Sequence, residues 1–131
     1  ANLINEEGLD QVIARHYAIR DALRQALNAL DLELLVQDAY ASPTVTAFVP
    51  KSKDELDYIK NELKKRFAIT IAGGQGHLKG QILRIGHMGQ ISPFDILQVV
   101  SALEILLTEF RNESYVGKAI TQYMEVVKAY V

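Results

Sequence analysis

The 131-residue chain contains no cysteine. That removes disulfides, thiolate metal sites and cysteine nucleophiles together, and suits a reducing compartment. Charge of one sign is also lacking. Fourteen basic side chains face sixteen acidic ones, a net charge of −2, so no overall field collects nucleic acid or an anionic membrane surface. Apolar runs stop after a few residues, far short of the roughly 20 that span a bilayer. The acidic start, ANLINEEG, does not read as a signal peptide. With three prolines and no repeat or low-complexity tract, nothing divides residues 1–131 into separate domains. The expectation is one cytoplasmic-type globular domain, long enough to bury about two thirds of its unfolded surface.

The pattern that is present predicts helices and short strands. Val12, His16, Ile19, Leu23, Leu27 and Leu30 recur at three- and four-residue steps. They predict a long helix over about 5–30, with Asn5 as N-cap and Glu6 and Glu7 in its first turn. Leu34–Val36 predicts a short strand. Val45, Ala47 and Val49 alternate with Thr46 and Phe48 in a second strand, which Pro50 ends. Ser52 and Glu55 have the spacing of a capping box in front of a helix over 53–66. Ala68–Ala72 and Gln81–Ile85 predict two more strands. Ser92 then caps a third helix with Pro93 in its first position, and a last helix falls near 114–130. The order α-β-β-α-β-β-α-α predicts an α+β fold, a small mostly antiparallel sheet with helices on one face.

Few residues could carry chemistry. The segment GGQGHLKG (73–80) places Lys79 where a dinucleotide fingerprint needs its third glycine, and it joins two strands with no helix behind it. It is either a plain connection or a loop lining a site, where close backbone approach excludes side chains. His16 belongs to the apolar stripe of the first helix. His77 and His87 sit in neighbouring turns without a third ligand at sensible spacing, so no metal is expected. Ser52 and Ser92 serve as caps rather than nucleophiles. Lys60, Lys64, Lys65 and Arg66 form a solvated basic end to the second helix. Arg84 stands apart. It interrupts the apolar strand QILRI just before Gly86-His87-Met88-Gly89. A guanidinium there requires an anionic partner, either an acidic side chain of the chain or the carboxylate of a ligand.

The stretch ITIAGGQGHLKGQILRIGHMGQISPFDILQVVSALEILL (69–107) resembles the C-terminal, small domain of class V pyridoxal-phosphate aminotransferases. The similarity is to the alanine–glyoxylate or serine–pyruvate type, some members of which are called soluble hydrogenase small subunit. The R-I-G-H-M-G core and the capped helix with A-L-E are its specific part. EEGLDQVIARHYAIRDALRQALNAL (6–30) resembles the long helix that links the large and small domains.

The resemblance implies that Arg84 binds the substrate carboxylate, and that Gly74, Gly76, Gly86 and His87 belong to an active-site loop. It implies an alanine or serine amino donor, a glyoxylate- or pyruvate-type acceptor, and a homodimeric full-length enzyme. It places the Schiff-base lysine and most contacts to pyridoxal 5'-phosphate in a preceding large domain, and Lys79 does not match that lysine's context. Because that large domain would precede the first helix, the expectation is a fragment that neither binds the cofactor nor transaminates alone; the start at Ala1, with Met88 the first methionine, fits either a removed initiator methionine or a cut from a longer chain. The alternative is a stand-alone module that binds a small carboxylate or a protein partner.

Overall fold

The computed structural model describes residues 8–87 and 91–131. The expected Asn5 cap, with Glu6 and Glu7, and the Met88-Gly89 end of the turn after Gly86 lie outside the described residues. Helix α1 spans Leu9–Ala29 and is followed by strands β1 (Glu33–Leu34) and β2 (Val45–Val49). Then come helix α2 (Lys53–Phe67), strands β3 (Ala72–Gly73) and β4 (Leu83–Gly86), and helices α3 (Pro93–Arg111) and α4 (Lys118–Val127). Every strand pairing is antiparallel, and the order across the sheet is β1-β2-β4-β3. The architecture is the α+β arrangement expected.

The helix ends follow from local chemistry. At α2 the Ser52 hydroxyl accepts from the Glu55 amide at 3.0 Å. Glu55 reaches back one residue further than a capping box requires, accepting from the Lys51 amide at 3.0 Å. At α3 the box closes: Ser92 and Asp95 exchange their bonds, with Pro93 at the start. Helix α1 ends in a left-handed residue, Asp31 (φ 57°), after which the Leu32 amide returns to the Leu27 carbonyl at 3.1 Å.

The core lies between the helices and one face of the sheet. From α1 it takes Ile19, Leu23, Leu27 and Leu30, all fully buried. Ile59 and Leu63 of α2, Leu103, Leu106 and Leu107 of α3, and Tyr123 and Val127 of α4 complete it. Each buried Leu or Ile contributes about 1.5–3 kcal/mol relative to exposure. Only the second half of α1 takes part. Along its first half Leu9, Ile13 and Tyr17 stay exposed at four-residue spacing.

Strand bounds depart from expectation at β1 and β3, and the structure settles which face of β2 is inward. β1 is Glu33–Leu34 rather than Leu34–Val36: the Leu35 amide still donates to the Ala47 carbonyl at 3.1 Å, but the Val36 carbonyl accepts from the Arg24 guanidinium instead. β3 begins at Ala72 rather than Ala68, since Ala68 adopts a left-handed conformation (φ 56°) that ends α2, and the Ile69 amide returns to the Leu63 carbonyl at 3.0 Å. In β2 the residues turned into the core are Thr46 and Phe48, whereas Val45, Ala47 and Val49 lie half-buried on the other face. Both faces of that strand carry apolar side chains, so alternation alone does not say which one is inward.

Candidate carboxylate-binding site

The period of β4 separates its side chains. Leu83 and Ile85 enter the core; Arg84 and Gly86 take the opposite face. Arg84 pairs across the sheet with Ala47 on one side and Ala72 on the other. Two small neighbours leave room for a guanidinium to lie along the open face.

Arg84 Nε donates to the carbonyl of Gly73 at 2.8 Å. Among the described residues this is its only bond, and no carboxylate stands at ion-pair distance. The acidic partner that a strand arginine calls for is therefore not supplied by the described part of the chain. Arg84 borders a cleft of about 380 Å³ with Thr70, Ala72, Gly86, Ile91, Asp95 and Ile96. The one acidic group there, Asp95, is engaged at the start of α3, where it accepts from the Ser92 amide at 2.8 Å. Arg84 thus keeps two donor nitrogens unpartnered among the described residues, and it borders a cleft with an apolar wall. That combination suits a small monocarboxylate.

The structure brings some of the expected loop residues together and separates others. Residues 74–81 form a turn closed by its own backbone: the Leu78 amide donates to Gln75, Lys79 to Gly76 and Gln81 to Leu78. Gly74 is packed against Leu78, and Gly76 is exposed with φ 59°. Gly86 shares the Arg84 cleft. His87 is the exception. Its imidazole is fully buried on the core side of the sheet, with Nε2 2.8 Å from the Thr46 hydroxyl. Its Nδ1 is buried without a partner among the described residues. Burial pushes its pKa down to about 4, and the nearby His16 and Arg20 act in the same direction. This is a neutral core histidine, outside the Arg84 cleft. His77 is exposed and His16 half-buried. Among the described residues no three His, Cys, Asp or Glu side chains stand close enough to share a metal.

The basic end of α2 is solvated: Lys60, Lys64 and Lys65 are exposed, and Arg66 is held by Glu109 at 2.6 Å. Sequence reasoning missed the Arg84–Gly73 contact. Its only signal was a glycine pair directly after a short apolar strand.

No family model matches the chain. Individual proteins do. The soluble hydrogenase small subunit of Synechococcus sp. (strain PCC 6716) is 48% identical over 107 residues, covering 82% of this chain and 28% of that protein. The serine–glyoxylate aminotransferase of Arabidopsis thaliana is 30% identical over 121 residues, covering 91% and 30%. Among solved structures, the ureidoglycine–glyoxylate aminotransferase from Bacillus subtilis superposes with a TM-score of 0.82 at 31% identity, over 96% of this chain and 33% of that one. The fold and the sequence together define an α+β domain of the aminotransferase kind. The chain belongs to the class V aminotransferases, its similarity falling on their C-terminal portion. It spans less than a third of the length of the curated relatives it matches.

Proposed function

We propose that this chain is the substrate-carboxylate-binding domain of a pyridoxal-phosphate-dependent transaminase. The amino donor is alanine or serine and the acceptor a glyoxylate- or pyruvate-type oxo acid, in keeping with the names its relatives carry. The observation that carries the reading is Arg84: a strand guanidinium fixed through Nε, without a carboxylate partner among the described residues, beside a cleft of ligand size. Bidentate capture of an α-carboxylate would hold the substrate by one end and orient the carbon that reacts.

The described residues do not fit a Schiff-base site. Every lysine of the chain, from Lys51 to Lys128, is exposed, whereas a reactive lysine is usually activated by desolvation or a cationic neighbour. Pyridoxal phosphate supplies the electron sink for transamination, and the reading places its lysine and phosphate contacts in a preceding large domain, within a homodimeric enzyme. The exposed stripe of Leu9, Ile13 and Tyr17 supports this over a self-contained binding module, which would cover such a stripe.

The test is transamination by the full-length protein reconstituted with pyridoxal phosphate, using L-alanine with glyoxylate, or L-serine with glyoxylate or pyruvate. Activity that falls sharply in Arg84→Gln, with the melting temperature unchanged, is expected. Full activity in that variant overturns the role given to Arg84. A full-length protein without transaminase activity toward either amino donor overturns the enzyme assignment.

A further inference from the structure

We infer that Gly73 is a positioning residue for Arg84, acting through its carbonyl oxygen, and that Gly74 is what holds that oxygen in place. This rests on the carboxylate-binding role proposed above for Arg84.

An arginine side chain has four rotatable bonds, and ordering it costs conformational entropy. A fork that captures a carboxylate is effective only when its plane is set beforehand. Here the Nε–H is already committed to the Gly73 carbonyl at 2.8 Å. That bond uses the one donor that points back along the side chain. It leaves Nη1 and Nη2 unpartnered among the described residues. The flanking residues, Ala47 and Ala72, are too short to orient the guanidinium themselves. Among the described residues, the Gly73 carbonyl is the only group that does so.

What fixes the carbonyl is the next residue. A Cβ at Gly74 would lie 2.3 Å from the Leu78 carbonyl oxygen and 2.8 Å from Cγ1 of Ile82. Backbone therefore packs directly on backbone, and the turn 74–81 closes on itself just behind Gly73. A side chain at position 74 would force the two segments apart and carry the Gly73 carbonyl with them. Gly76 and Gly86 differ, for a Cβ at either meets nothing within 4 Å. Among the described glycines, the steric requirement for a missing side chain falls on the position adjoining the carbonyl.

The experiment compares five forms of the full-length holoenzyme: the native protein, Arg84→Gln, Gly74→Ala, a backbone ester made by placing glycolate at position 74, and that ester combined with Arg84→Gln. The ester adds no side chain and weakens the Gly73 carbonyl as an acceptor. The readouts are the dissociation constant of propionate, by ligand-observed NMR, and the melting temperature. The ester should weaken propionate binding roughly three- to tenfold, the span of one ordinary hydrogen bond, with the melting temperature held. Gly74→Ala should weaken it at least as much. In an Arg84→Gln background the ester should cost nothing further, a coupling that a purely structural role would not produce.

If Arg84→Gln loses propionate while the ester protein binds it as the native protein does, the positioning role is overturned and the carboxylate site stands. Additive losses from the ester and Arg84→Gln also overturn it. If Arg84→Gln itself binds propionate normally, the carboxylate reading fails.

Discussion

Arg111 and Glu55 form a two-toothed ion pair that is almost wholly enclosed: Nε to Oε2 at 2.8 Å and Nη2 to Oε1 at 2.7 Å, with side-chain exposures of 9% and 2%. Arg111 also donates to the Leu30 carbonyl at the end of α1 and to the Tyr115 hydroxyl. One guanidinium thereby ties the start of α2 and the ends of α1 and α3 together. Removing one partner leaves a buried charge alone, so Glu55→Gln should destabilise the fold by about 3–5 kcal/mol. Replacing both with Glu55→Leu and Arg111→Met should cost much less than the sum of the single changes, measured by urea unfolding.

The same pair sets an acid limit. Burial pushes the Glu55 pKa up, but the bonds from Arg111 and the Lys51 amide, with the attraction of both cations, hold it below its ordinary 4.5. Its contribution is full above that value and is lost as pH falls through the lower, folded-state pKa. Stability measured against pH should therefore drop less steeply below pH 4.5 in Glu55→Gln than in the native protein.

His87 gives a separate window. A histidine held at about 4 when folded and near 6.5 when unfolded favours folding fully above 6.5, and that contribution is lost as pH falls from 6.5 toward 4. The difference amounts to on the order of 3 kcal/mol. An NMR titration should show the His87 ring resisting protonation until about pH 4, and His87→Phe should flatten the stability profile between those limits.

Glu104 caps α4 from inside the core. Its Oε1 accepts from the Gly117 amide at 2.8 Å, and its Oε2 from Ala119 at 2.8 Å and Ile120 at 2.7 Å. Glu104→Ala orphans three amides at once and should cost on the order of 3 kcal/mol. Hydrogen exchange should show those amides losing protection before the rest of α4.

At the cleft, Arg84→Lys keeps the charge but removes both the fork and the Nε–H that reaches Gly73. In the full-length enzyme the KM for the amino-acid substrate should rise by the equivalent of about 1.5–3 kcal/mol. Unchanged kinetics would refute the role given to that side chain.

Local chemistry was legible in the sequence, and pairing at a distance was not. Ser52 and Ser92 announce their helices because a cap acts within three residues, and the α1 stripe fixes which face of Ile19, Leu23 and Leu27 is inward. Thr46 looked like the polar side of β2, yet it is buried because its hydroxyl meets His87, 41 residues later. Glu55 reads only as the end of a capping box and Glu104 only as part of A-L-E, since nothing near them in the chain signals the Arg111 guanidinium or the α4 amides that let them be buried. At the candidate site, the spacing of QILRI correctly sets Arg84 apart from Leu83 and Ile85. The small flanking residues and the Gly73 carbonyl that shape its surroundings come from other strands and appear only once the register is known.

The brevity of β1 and β3, two residues each, has a consequence for how the protein behaves when crowded. An exposed strand border is a template on which a foreign chain can be added, and its danger grows with its length. Both borders of this sheet stop before they could dock more than a couple of residues of another chain, so runaway cross-β growth has almost no foothold. The adhesive part of the surface is instead the stripe of Leu9, Ile13 and Tyr17, a helical face. Unwanted self-association at high concentration should therefore be discrete and reversible rather than fibrous.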